Sequence, residues 1–190
     1  MIRSRHLHFI IGMGLAIILV IVLLALIIFQ HSGPKVKTPL VMASYANNRT
    51  AQVAMLIDGP VNAVSLHNQV QVVVTNSVTT FNIFVGYDDQ LVSTHSYPMT
   101  VASFHVFLRS LEFANFNSGS NNPSLSQASG YCPTGDRYIF SFDVNSRQVE
   151  RYWATNCAGP HTYYGDLSLT LALFQAQVPN YQDMISSLNL

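Results

Sequence analysis

Charge is scarce in this chain. Lysine, arginine, aspartate and glutamate make up 9% of its 190 residues, and no lysine follows Lys37. From Thr38 onward, five arginines (Arg49, Arg109, Arg137, Arg147 and Arg151) face nine acids, a balance of −4. That stretch lacks the basic footprint that phosphate backbones select, so nucleic acid is excluded as a partner. The same balance argues against the domain lying flat on anionic headgroups.

Cysteine is nearly absent: Cys132 and Cys157 are the only two. No CxxC, HExxH or calcium-loop pattern occurs, and no GxSxG, P-loop or GxGxxG. Their absence removes the common metal, nucleophile and phosphate-cradle signatures. Cys132, Cys157 and His161 fall short of a zinc pattern. A catalytic thiol would need a base such as His161, and would leave the second cysteine unexplained. His67, His95 and His105 show no metal spacing. Asp88-Asp89 follows a glycine in a turn, where acids serve solubility and local hydrogen bonding. The sequence therefore assigns no catalytic, cofactor-binding or metal-ligating residue, and implies no cofactor.

What is abundant is apolar. Phe9 to Phe29 holds 21 residues without a charge or a proline. As a helix this spans about 31 Å, the thickness of a bilayer's hydrocarbon core. A cleaved signal peptide would have a shorter apolar region and a small-x-small site, and neither is present. No cysteine follows the run, which excludes a lipoprotein anchor. The reading is an uncleaved transmembrane signal-anchor over 9–29, with the lipid bilayer as its partner. Arg3 and Arg5 on one side tie with Lys35 and Lys37 on the other. The short tail 1–8 and the cysteine pair of the larger part favour a cytoplasmic N-terminus and an extracytoplasmic domain. Gly12 and Ala16 form a small-xxx-small pair that would allow a weak homodimer through the helix. A type IV pilin is rejected, because no acid follows the glycines of the run.

Residues 30–50 read as a linker broken by Gly33, Pro34 and Pro39, with an N-glycosylation triplet at Asn48-Arg49-Thr50. The domain over 51–190 begins with strand patterns at 51–58, 69–75, 81–85 and 90–97. In the helix that follows, Val101, Phe104, Phe107, Leu108 and Leu111 share one face. His105, Arg109 and Glu112 form a solvated stripe with an Arg109–Glu112 pair. Residues 117–130 carry no charge and no aromatic, and read as a loop. Strands 138–144 and 149–155 then make a hairpin turning near 146–147, with Phe140 across from Trp153. Residues 166–178 fit both periods. Asp166 as N-cap, Pro179 as a stop and good helix formers between favour a helix. A last short helix begins near Pro179. The expected fold is an N-terminal transmembrane helix plus one α+β domain: an antiparallel sheet of about six strands with two or three packed helices.

The hairpin register bears on the cysteines. Cys132 and Cys157 flank the hairpin's open end, and the Pro133-Thr134-Gly135 bend absorbs their offset. A Cys132–Cys157 disulfide at the hairpin base is the favoured reading of the pair.

The segments VFLRSLEFANF, CPTGDRYIF, RYWATNC and ALFQAQVPNY resemble small single-anchored envelope proteins of reduced-genome, Saccharibacteria-like bacteria. In these a CPxGxRY strand, a W-x-T-x-C strand and a final LFxxQxPxY helix recur. The resemblance runs from Gln52 to Tyr181. It implies an extracytoplasmic placement, the same cysteine pairing and a helix over 166–178. It implies no activity and no residue roles.

Two functions follow as expectations. The first is a tethered module that binds or scaffolds at the cell envelope without catalysis, its partner an envelope protein or a glycan. The second is a tethered envelope hydrolase whose polar residues converge only in the fold, with His161, Asp166 or His95 beside a serine or carboxylate.

Overall fold

The computed structural model describes residues 40–190. The tail 1–8, the membrane helix read over 9–29 with Gly12 and Ala16, and the linker as far as residue 39 lie outside the described residues. Among the described residues, no helix is long and apolar enough to cross a membrane.

The strands are β1 (Gln52–Asp58), β2 (Asn68–Thr75), β3 (Val78–Val85), β4 (Gln90–Pro98), β5 (Arg137–Val144) and β6 (Arg147–Thr155). The helices are α1 (Val101–Phe113), α2 (Leu167–Gln175) and α3 (Tyr181–Ile185). The six strands form one antiparallel sheet in the order β4-β3-β2-β1-β5-β6. The α+β architecture expected from the sequence is present. β1 to β4 form a meander. The chain then leaves the β4 edge, passes through α1 and a long loop, and returns beside β1 as β5.

Alternation decides which sheet face is covered. Val53, Met55 and Ile57 of β1 are buried, as are Val70, Val72 and Val74 of β2 and Phe140, Phe142 and Val144 of β5. Register confirms that they share a face: Met55 lies opposite both Val72 and Phe140. Phe104, Phe107, Leu108 and Leu111 of α1 and Phe174 of α2 complete this core. Phe116 packs edge-on to Phe140 at 5.8 Å, and Phe107 does the same to Phe174 at 5.3 Å.

Both longer helices start as their sequences dictate. Thr100 accepts a hydrogen bond from the Ser103 amide, and Asp166 accepts one from Leu169. Capping of this kind stabilises a helix by about 1 kcal/mol. Thr170 is fully buried in α2 and meets the Tyr163 hydroxyl at 2.6 Å. The short α3 buries Tyr181 against Phe81, with rings 5.8 Å apart.

Three expectations need correction. The hairpin register is displaced by one: Phe140 faces Tyr152, and Trp153 faces Ile139. A one-residue slip sends a side chain to the opposite face. Trp153 therefore leaves the core and is buried instead beneath the loop before β5. A bulge at Phe142/Asp143 and a two-residue turn at Asn145-Ser146, both with positive φ, set the register. Next, the Arg109–Glu112 pair does not form, because Glu112 Oε1 accepts the Ala43 amide at 3.0 Å while Arg109 stays exposed. Finally, the packed unit begins at Leu40, so the second half of the 30–50 linker belongs to it. Met42 and Ala46 are buried, and Tyr45 packs edge-on to Phe142 at 5.5 Å. Apolar residues four apart give that segment a reason to fold onto the sheet end.

Candidate functional site

Cys132 and Cys157 are joined in a disulfide, their Cα atoms 5.6 Å apart. It sits just beyond the last ladder pair of the hairpin, Arg137 and Thr155. Gly135 makes the approach feasible. A Cβ there would overlap Asn156 Oδ1 and the Cys132 sulfur. Asn156 Oδ1 also accepts the Asp136 amide at 3.0 Å, which fixes the bend. With both sulfurs consumed, neither a thiol nucleophile nor a thiolate ligand remains at this position.

Beside the disulfide is a polar cluster that the sequence reading missed. Asp58 ends β1 and Arg137 begins β5, and they are register partners. Arg137 Nε donates to Asp58 Oδ2 at 2.8 Å, and its Nη2 donates to the Gly59 carbonyl at 2.7 Å. His67 Nε2 lies 3.0 Å from Asp58 Oδ1, and its Nδ1 lies 3.1 Å from the Pro60 carbonyl. The Tyr87 ring stacks on His67 at 4.2 Å. Arg137 is 4% exposed and His67 is 0% exposed, so one carboxylate serves two buried nitrogen bases.

Asp136 lies next in the chain. Burial raises its pKa, against the lowering effects of the Tyr138 hydrogen bond and the Arg137 charge. Burial, the Asp136 charge and the hydrogen bond to it push Tyr138 up to about 12. Tyr181 is pushed up to about 12 by burial first, then by Tyr138 and Asp136. Asp136 Oδ1 and the Tyr181 hydroxyl are buried without a hydrogen-bond partner. Two carboxylates with different surroundings can serve acid–base chemistry where a substrate reaches both. Here Asp58 is held by two bases and Asp136 by Tyr138 and Asn156. The arrangement locks the sheet end.

The histidines weighed from sequence are not gathered. His95 is exposed on β4, 3.1 Å from the Ser93 hydroxyl. His105 is exposed on α1. His161 is exposed near Gly159, and Asp166 caps α2. Asp88 and Asp89 stand in the β3–β4 turn. Among the described residues, no group of three or more His, Cys, Asp and Glu is placed to hold a metal ion.

One concave feature with polar walls lies elsewhere. The loop over 117–130 wraps past the β6 edge, tied by the Ser120 amide to the Thr162 carbonyl at 2.8 Å. It then covers Trp153, whose Nε1 donates to the Leu125 carbonyl at 2.7 Å while Tyr131 stacks on the indole at 5.1 Å. Between this loop and β6 is a cleft of about 290 Å³. Ser120, Asn121, Asn122, Gln148 and Arg151 line it with amides, a hydroxyl and one guanidinium. Arg151 Nη1 is spent on the Ser126 carbonyl at 2.8 Å, which orients the rest of the fork. No carboxylate, imidazole or thiol lines this cleft. Its walls can donate and accept hydrogen bonds, and they carry no acid or base for bond cleavage.

No protein-family model matches the chain, and no curated protein matches it.

Proposed function

We propose that this chain is a membrane-tethered extracytoplasmic module that binds a glycan without cleaving it. Residues 9–29 anchor it, the N-terminus lies in the cytoplasm, and the α+β domain projects outward. One observation carries the ligand class: the cleft between the 117–130 loop and β6 is walled by three side-chain amides, three hydroxyl residues and one oriented guanidinium beside Leu125, Val149 and Trp153, with no acid among them. Amides and hydroxyls match the alternating donors and acceptors of a polyhydroxylated ring. Most glycoside hydrolysis uses two carboxyl groups across the scissile bond, and none lines this cleft. The disulfide supports an oxidising compartment.

The test uses the full chain in detergent micelles against a panel of chitotriose, cellotriose and maltotriose, read by ligand-observed NMR. Saturation transfer to at least one trisaccharide is expected, with no cleavage product on long incubation. The signal disappears in a Gln148→Ala/Asn121→Ala variant of unchanged melting temperature. Transfer to none of the three, or transfer equal in wild type and variant, sinks the reading. A reporter fused after Leu190 tests the topology, and cytoplasmic reporter activity would overturn it.

A further inference from the structure

The oxygens around the cleft between the 117–130 loop and β6 are largely engaged from inside the protein. Asn122 Oδ1 accepts the Ser124 amide at 3.0 Å, and Ser120 Oγ accepts the Asn122 amide at 3.2 Å. The Leu125 carbonyl takes the Trp153 indole, and the Ser126 carbonyl takes Arg151 Nη1. The Thr162 carbonyl takes the Ser120 amide, and the Thr162 hydroxyl stays with the Trp153 backbone.

The donors of the same residues are left over. Asn122 keeps both hydrogens of Nδ2, Ser120 keeps its hydroxyl hydrogen, and Arg151 keeps Nε and Nη2. None of these groups donates to a partner among the described residues. The side chains of Asn121, Gln148 and Ser126 also line the cleft, and each brings a donor and an acceptor. The sum is a cleft with donors in excess.

The Arg151 charge is not neutralised either. All nine acids lie after Thr38, and the ion pairs of the described residues both belong to Asp58. Glu150 precedes Arg151 but faces the core side with Phe142, its register partner, and accepts the Tyr152 hydroxyl. Asp143 is the register partner of Gln148 and shares its face. It accepts the Ser141 hydroxyl at 3.0 Å and lines a separate cleft with Arg49 and Thr50.

We propose that this cleft selects a glycan that carries a carboxylate, a uronic acid rather than a neutral sugar. The inference rests on the glycan-binding reading and sharpens it. An ionised carboxylate only accepts hydrogen bonds, so it complements leftover donors. Arg151 offers it the charge and the remaining prongs of a planar fork, already oriented by Ser126. Asn121 and Gln148 serve the ring hydroxyls, which give and take. A neutral hydroxyl placed at Arg151 would have to find an acceptor for its own hydrogen where the nearby oxygens are engaged.

The test compares trigalacturonate with its methyl ester, which keeps the skeleton and removes the charge. Both are titrated into the full chain in non-ionic detergent micelles by ligand-observed NMR. The acid should bind about tenfold tighter than the ester. Sodium chloride at about 1 M should erase that advantage and leave the ester unmoved. In Arg151→Gln the ratio of the two affinities should fall to about one. The ratio is the readout because Arg151 also holds the loop through Ser126, so both affinities can drop together. Equal binding of acid and ester to the unmodified chain overturns this inference and leaves the glycan reading standing. So does binding of a neutral trisaccharide with none of the acid. An advantage that survives high salt, or persists in Arg151→Gln, also overturns it. Silence from the acid, the ester and the three neutral trisaccharides overturns the glycan reading as well.

Discussion

Asp58 and Arg137 close the β1–β5 ladder with Oδ2 and Nε 2.8 Å apart, where each is the other's register partner. The same carboxylate holds His67, so it neutralises one buried cation and orients a second base. Removing one partner of such a buried group costs about 3–5 kcal/mol, because the others are left desolvated and unpaired. Asp58→Ala should lose that much stability in urea titrations of the full chain in micelles. A loss below about 1 kcal/mol would mean that the cluster is solvated, as exposed pairs are.

Alkali should weaken the fold through buried phenols. Tyr138, Tyr163 and Tyr181 are each raised from 10.0 to about 12, chiefly by burial. Their folded pKa values exceed the unfolded ones, so the unfolded chain gives up these protons first. The stability they contribute is full below about pH 10 and is lost as pH rises to about 12. Melting temperature measured across that interval should fall, in step with tyrosinate absorbance. A flat profile to pH 12 would contradict it.

Asp136→Asn separates charge from burial at the sheet end. The Asp136 charge is one of the causes that raise Tyr138 and Tyr181, and it is not among those raising Tyr163. Carbon-labelled tyrosine NMR should show the first two phenols titrating lower in the variant and Tyr163 unmoved. A uniform shift of all three would point to a loosened domain instead.

Reduction should cost the domain about 3.5 kcal/mol, the loop entropy for a disulfide spanning about 25 residues. The denaturation midpoint with and without reductant measures it. Gly135→Ala should move the midpoint in the same direction without reductant, since the added methyl displaces Asn156 or the Cys132 sulfur. A midpoint insensitive to reductant would show that the hairpin closes without its bond.

Local signals were legible in the sequence, and long-range ones were not. Asp166, Pro179 and the good helix formers between them settled 166–178 as a helix although its leucines alternate. Cys132 and Cys157 could be paired because the hairpin between them is local. The register of that hairpin differs by one residue because its turn lies at Asn145-Ser146, one position before the expected 146–147, and the Phe142/Asp143 bulge takes back one of the two register steps this costs. Asp58 looked like part of a turn and Arg137 like one charge in a tally. Their meeting depends on β5 returning beside β1, a crossover that no spacing reveals. The cleft was hidden for the same reason: the 117–130 loop is featureless as a sequence and becomes a wall only against Gln148 and Arg151.

The Cys132–Cys157 bond encloses all of β5 and β6, and the turn at its far end is exposed at Asn145-Ser146. A protease that cuts this turn divides the polypeptide without dividing the molecule. The piece from 146 onward, with α2 and α3, stays attached through a sulfur link and through the sheet. Cuts before Cys132 or after Cys157 have no such retention. Damage inside the loop is therefore silent until a reductant arrives, and one nicked molecule then becomes two chains.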